Sequence, residues 1–115
     1  MQYMLLIYGA ESIWDGLSPE KLAEEMGAFR AYTEDLRKSG KLIGGHQLQP
    51  EASAKSVSLL NGRRRVIDGP YVEIKEALGG YYLINADSDD EALAWAEKCP
   101  GARYGGIEVR PLVPM

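Results

Sequence analysis

Asp68, Glu73, Lys75 and Glu76 place four ionisable side chains within nine positions of the stretch Val66 to Ile84. Gly69-Pro70 stands at its start and Gly79-Gly80 behind it, with the apolar run Tyr81 to Ile84 following at once. Carboxylates fixed beside an ammonium can move a proton or grip a small polar ligand. Two glycine-containing corners would pin the segment at both ends, so Asp68 and Lys75 are expected on one concave surface. Asp68 itself has two readings. Ahead of Gly-Pro it can cap a turn through its own backbone, or it can be a carboxylate held for acid–base work.

His46 is the sole histidine, and imidazole is the one ordinary side chain that changes charge close to neutral pH. It follows Gly44-Gly45, which allows a bulge or a close backbone approach, and is expected to reach the same surface. Asp68 and His46 are therefore the catalytic candidates, with a solvent-facing loop histidine as the plainer reading of His46. Lys75, Glu76, Glu73, Arg110 and Tyr82 are the candidate substrate contacts. Arg110 can pair with Glu73 or Glu76, or take a ligand carboxylate bidentately. Lys75 and Glu76 can equally form a solvated ion pair of little value. Tyr82, like Tyr3, Tyr8, Tyr32 and Trp95, also reads as core. One histidine and no ligand spacing give no metal site. Gly44-Gly45 and Gly105-Gly106 lack a phosphate-loop fingerprint, so no cofactor is expected.

The elements that must position these residues follow from periodicity. Gln2 to Tyr8 reads as a buried first strand, and Gly9 to Leu17 as a loop carrying Trp14. Ser18, Pro19 and Glu20 open a helix whose stripe is Leu22, Met26, Phe29, Thr33 and Leu36, closed by Gly40. Leu42 to Leu48 is a second strand. Asn61-Gly62 between Lys55–Leu60 and Arg63–Ile67 is a hairpin signal, because both turn residues tolerate positive φ. Tyr81 to Asn85 is the next strand. Ser88-Asp89-Asp90-Glu91 is a capping box before a helix with the stripe Ala92, Trp95, Ala96 and Cys99. Ile107 to Val113 alternates as a last strand. Two strand–helix–strand units with right-handed crossovers make an α+β, ferredoxin-like sandwich: an antiparallel sheet with both helices on one face and an inserted hairpin. Nothing in the chain covers the other face. Apolar burial is worth about 25 cal/mol per Å², so a homodimer is the expected cover.

The chain has 115 residues, expected as a single domain over 1–115, with 17 acids against 13 bases and a net charge of −4. An acidic balance argues against a nucleic-acid partner. The basic run Arg63-Arg64-Arg65 reads as a charged hairpin edge, with an anionic-ligand patch as the alternative. A lone cysteine, Cys99, forms no intrachain disulfide, which suits a reducing compartment, and it falls on the apolar side of the second helix. The first eight residues are too short an apolar run for a membrane span and carry no basic leader. A cytoplasmic protein without membrane contact is the expectation.

Asp68-Gly69-Pro70-Tyr71 resembles the Asp-Gly-Pro-Phe motif of the DGPF branch of the YCII-related superfamily. Gly44-Gly45, Leu48-Gln49-Pro50, Glu73, Lys75, Glu76, Gly79-Gly80-Tyr81-Tyr82, Glu91-Ala92 and Glu108-Val109-Arg110-Pro111 extend that resemblance over essentially the whole chain. It implies a ferredoxin-like fold that dimerises through its sheets into an α/β barrel, with a pocket between sheet and helices or at the seam. The superfamily includes small enzymes, some acting on aromatic-degradation intermediates through a His-Asp pair, while DGPF members often neighbour sigma-factor genes. Tyr71 in place of Phe adds a hydroxyl, and His46 stands where an acid or small residue is common in this branch. Two functions follow. One is a cofactor-free acid–base enzyme acting on a small polar or aromatic metabolite. The other is a ligand-binding or protein-interaction module linked to sigma-factor regulation.

Overall fold

The computed structural model describes residues 1–115. Its strands are β1 (Gln2–Gly9), β2 (Leu42–Gln47), β3 (Lys55–Leu60), β4 (Arg63–Asp68), β5 (Ala77–Asn85) and β6 (Gly105–Pro111). The helices are α1 (Glu11–Asp15), α2 (Pro19–Lys38) and α3 (Asp89–Lys98), with single 3₁₀ turns at Glu51–Ser53 and Pro100–Arg103. A four-stranded antiparallel sheet has the order β2-β5-β1-β6, and β3 and β4 pair only with each other. This α+β arrangement is consistent with the expected ferredoxin-like fold. No helix is long and apolar enough to cross a membrane.

β1 sits at the centre of the sheet. Its Tyr3, Leu5 and Ile7 point at the helices and join Tyr32 and Leu36 of α2, Ile84 of β5, and Ala92 and Ala96 of α3 in one core. Cys99, at the end of α3, is buried there as expected, and burial pushes its thiol pKa up. Tyr32 seals the helix layer by donating its hydroxyl to the Trp95 carbonyl at 2.7 Å, with its ring edge against Tyr82.

The helix signals in the sequence act as expected. Ser18 Oγ accepts from Lys21 N at 3.1 Å, and Ser88 Oγ accepts from Glu91 N at 3.2 Å. Glu91 returns to the Asp87 amide rather than to Ser88, and its carboxylate also meets Lys41 at 3.1 Å. That ion pair ties the start of β2 to α3. The α2 stripe holds in part: Leu36 is buried and Phe29 packs against the core as expected, but Leu22 is exposed, and Glu25 and Tyr32, outside that stripe, are buried.

Two segments differ from expectation. The loop after β1 contains the short helix α1, whose Trp14 leans on Phe29 and Tyr104 with ring centroids 6.1 and 5.0 Å away. β5 begins four residues earlier than its apolar run, at Ala77. Gly79-Gly80 is thus not a corner but part of the strand. Ile7 pairs with Gly80 and Tyr8 with Leu78, which leaves Gly79 as the extra residue of a bulge. A Cβ on Gly80 would stand 2.9 Å from the His46 carbonyl oxygen, so its lack of a side chain is what lets β2 come alongside.

The hairpin is as the sequence implies. Asn61 and Gly62 have φ of 52° and 77°, the doubly left-handed turn that Asn-Gly favours. The β3–β4 ribbon has no buried residue. The radius of gyration is 16.0 Å, against about 13 Å for a compact chain of this length. Leu36 has no exposed surface, so Leu36→Ala should cost about 2–5 kcal/mol of unfolding free energy in a urea titration. A loss below about 1 kcal/mol would mean that α2 does not close this core.

Candidate functional site

Strand side chains alternate between the two faces of a sheet. With Tyr3, Leu5, Ile7, Tyr82, Ile84, Ile107 and Val109 turned toward the helices, the residues between them form the helix-free face. The register aligns them in two rows. His46, Tyr81, Leu6 and Glu108 are paired in sequence across β2, β5, β1 and β6. Gly44, Leu83, Met4 and Arg110 form the next row. At about 4.8 Å per strand, the backbones that carry His46 and Glu108 lie roughly 14 Å apart. The floor between them is Leu6, Leu83 and Met4, and a Cβ on Gly44 would meet nothing within 4 Å.

One end of this floor is a histidine–phenol pair: His46 Nδ1 lies 2.9 Å from the Tyr81 hydroxyl. When Nδ1–H donates to the phenol oxygen, Nε2 is the basic nitrogen, and when the phenol donates, Nε2 carries the proton. The opposite end is an ion pair between Glu108 and Arg110. The Glu108 oxygen beside Arg110 is shut off from solvent, yet no aligned hydrogen bond reaches it. Past this pair, Tyr8, Ile74, Glu76, Gly106, Ile107 and Glu108 line a cleft of about 470 Å³.

The residues singled out in the sequence are distributed unevenly about this face. His46 is on it, Arg110 is on it, and Glu76 reaches its cleft. Arg110 is partnered by Glu108 rather than by Glu73 or Glu76. Asp68 is directly opposite Lys55 across the ribbon and is held by it at 2.7 Å. Its side chain is 84% exposed. Glu73 and Lys75 lie in the exposed segment 71–76, and neither forms an ion pair. No hydrogen bond or ion pair joins Asp68 or Lys75 to His46. Gly79-Gly80, expected as the corner that pins the far end of this segment, is inside β5, and Asp68 ends a strand of the separate ribbon. Tyr82 faces the helices, where its hydroxyl meets Thr33 Oγ1 at 2.6 Å and burial raises its pKa. Its neighbour Tyr81 takes the place on the open face. Strict alternation from β1 outward is the signal that distinguishes the two. No three His, Cys, Asp or Glu side chains converge where they could hold a metal ion.

The chain belongs to the YCII-related domain family, which it matches over residues 1–115. A relative 37% identical over 114 residues is an uncharacterized protein of Rhizobium meliloti (strain 1021), with 97% of this chain and 92% of that one covered. In fold, this YCII-related domain is similar to a 5-chloro-2-hydroxyhydroquinone dehydrochlorinase from Burkholderia phenoliruptrix AC1100, solved in complex with 2,5-dihydroxybenzoquinone. The TM-score is 0.60, with 98% of this chain and 94% of that one covered. At 16% identity that likeness is one of fold.

Glu25, which periodicity alone gave no reason to select, is a carboxylate only 3% exposed on α2. Arg103 donates to it at 2.7 Å, Lys21 approaches at 3.6 Å, and Tyr104 is a further donor. Burial pushes the carboxyl up, but the hydrogen bonds and the two positive charges outweigh it, so its pKa is lowered. The same contacts hold the turn that leads into β6, and hence Glu108 and Arg110, against α2. A carboxyl depressed on folding stabilises the native state above its unfolded value of about 4.3, and the contribution is lost as pH falls through the folded value. Wild type should therefore be more stable than Glu25→Gln at about pH 7, and that difference should shrink below about pH 4. A pH-independent difference in melting temperature would contradict the charge assignment.

Proposed function

We propose that this YCII-related domain is a cofactor-free acid–base enzyme acting on a small hydroxylated aromatic metabolite, with the helix-free sheet face as its site. The carrying observation is the His46–Tyr81–Leu6–Glu108 row beside Leu83, Met4 and Arg110. A planar ring lies on Leu6, Leu83 and Met4. His46, with its Nδ1–H donating to the Tyr81 oxygen, accepts a proton from a ring hydroxyl at Nε2 and becomes imidazolium. The ring keeps the electron pair as a phenolate, and Arg110 turns from Glu108 to stabilise that charge. The fold likeness to a dehydrochlorinase of a hydroxylated aromatic supports the substrate class, and no chemistry is assigned to Asp68. A second copy laid on this face in a homodimer excludes water from the reacting groups, which strengthens every charge interaction there.

The test uses a panel of hydroxybenzenes and hydroxyquinones, including 2,5-dihydroxybenzoquinone. A ligand at a hundred times its dissociation constant should add about 2.7 kcal/mol of stability. With a turned-over member identified, His46→Asn should lower kcat about 10²- to 10⁴-fold with the melting temperature unchanged. Turnover that survives in His46→Asn, or a panel that leaves the melting temperature where it was, would overturn this function.

A further inference from the structure

We infer that the β3–β4 ribbon is an arm that clasps a second copy of this chain. Its outward face aligns Val57 opposite Val66, with Leu59 next along β3. These side chains are 63%, 46% and 74% exposed. An isolated two-stranded hairpin is marginally stable in water at best, so a ribbon with an uncovered apolar face calls for a surface to rest on. Its own body does not supply one: the half-buried residues of β3 are Ser56 and Ser58, on the opposite side.

The area exposed by the whole chain is in proportion. It is 8088 Å², against roughly 6,200 Å² for a compact monomer of 12.7 kDa. A specific dimer removes about 800 Å² from each partner, so the excess accommodates such an interface with the arm included.

Charge identifies the occupant as self. The ribbon carries Lys55, Arg63, Arg64 and Arg65 against Asp68, a charge of +3 that leaves −7 on the rest of a chain of net charge −4. A basic arm with an apolar face fits an acidic body, and in a two-fold dimer each copy supplies both. Closed pairing also explains how an exposed apolar ribbon avoids open-ended aggregation.

The inference rests on the second copy proposed above but not on the chemistry assigned to His46. Wild type should sediment as a dimer at micromolar concentration, with a dissociation constant that rises as salt is added. Val57→Asp with Leu59→Asp should weaken dimerisation about a hundredfold or more. Charge reversal by Arg64→Glu with Arg65→Glu should weaken it too and remove most of its salt dependence. Far-UV circular dichroism should keep the signal of α2 and α3 in both variants. A dimer of unchanged affinity in both variants would refute the arm while leaving the sheet seam and the enzyme reading intact. A monomeric wild type would refute the arm and the covered sheet face together. The His46→Asn kinetics report on the chemistry separately in either case.

Discussion

The two-residue period of β1 is the constraint on which the rest of the molecule depends. Because β1 is flanked by β5 on one side and β6 on the other, its alternation sets both faces of the sheet. Tyr3, Leu5 and Ile7 are committed to the helix layer. Met4, Leu6 and Tyr8 are thereby committed to the face that carries His46 and Arg110. A slip of one residue in the β1–β6 ladder would place Glu108 and Arg110 against the helices, and one in the β1–β5 ladder would exchange Tyr81 with Tyr82. Burying the core and presenting the site are thus one event, and the apolar contacts of the helix layer fix the geometry of the polar face opposite.

The bulge at Gly79 shows how narrow the tolerance is. β5 must pair with β1 through Ala77 and still let β2 lie alongside near His46. The extra residue lets Tyr8 and Gly9 pair with Leu78 and Ala77, while a second irregularity, between Leu42 and Gly44, brings Gly44, Gly45 and His46 opposite Leu83, Tyr82 and Tyr81. On the other flank, Glu25 holds Arg103 and Tyr104 just before β6 begins. A buried carboxylate is costly unless its partners satisfy it, and here the partners are in the turn that sets where β6 starts. The histidine end and the arginine end of the site are therefore each fixed by a local device lying outside the site itself.

Much of this was legible in the residues. The order of the main elements, both serine caps, the Asn-Gly turn, the close backbone approach at Gly45 and the burial of Cys99 follow from short-range rules that need no tertiary context. The family likeness over the whole chain pointed to the same fold. The candidate site was less legible. Glycine pairs mark corners in most sequences, yet Gly79-Gly80 lies in a central strand, because a bulge and a close strand approach call for the same residue as a turn does. Crowding of charges in sequence likewise made Asp68 and Lys75 look convergent, whereas Asp68 is drawn to Lys55, thirteen positions earlier, by cross-strand pairing in the ribbon. Tyr81 and Glu108 were within reach of strict alternation. Glu25 was not, since its hydrogen-bond partner Arg103 lies nearly eighty positions away and no local pattern encodes that meeting.

The exposed apolar surface divides by chemistry in a way that constrains how a second copy can sit. On the sheet face, apolar side chains alternate in rows with a histidine, a tyrosine and an ion pair, so a partner laid there encloses groups capable of reaction. On the ribbon, apolar side chains are bordered by arginines and a lysine with no titratable group near neutrality, so a partner there gains attachment alone. A dimer held by the ribbons does not require the sheet faces to be packed tightly against each other. In the proposed dimer, separating attachment from enclosure would leave the floor of Leu6, Leu83 and Met4 accessible to a flat ligand. Attachment through the ribbon and a reactive sheet face are therefore compatible demands on one chain, because they fall on side chains of different elements.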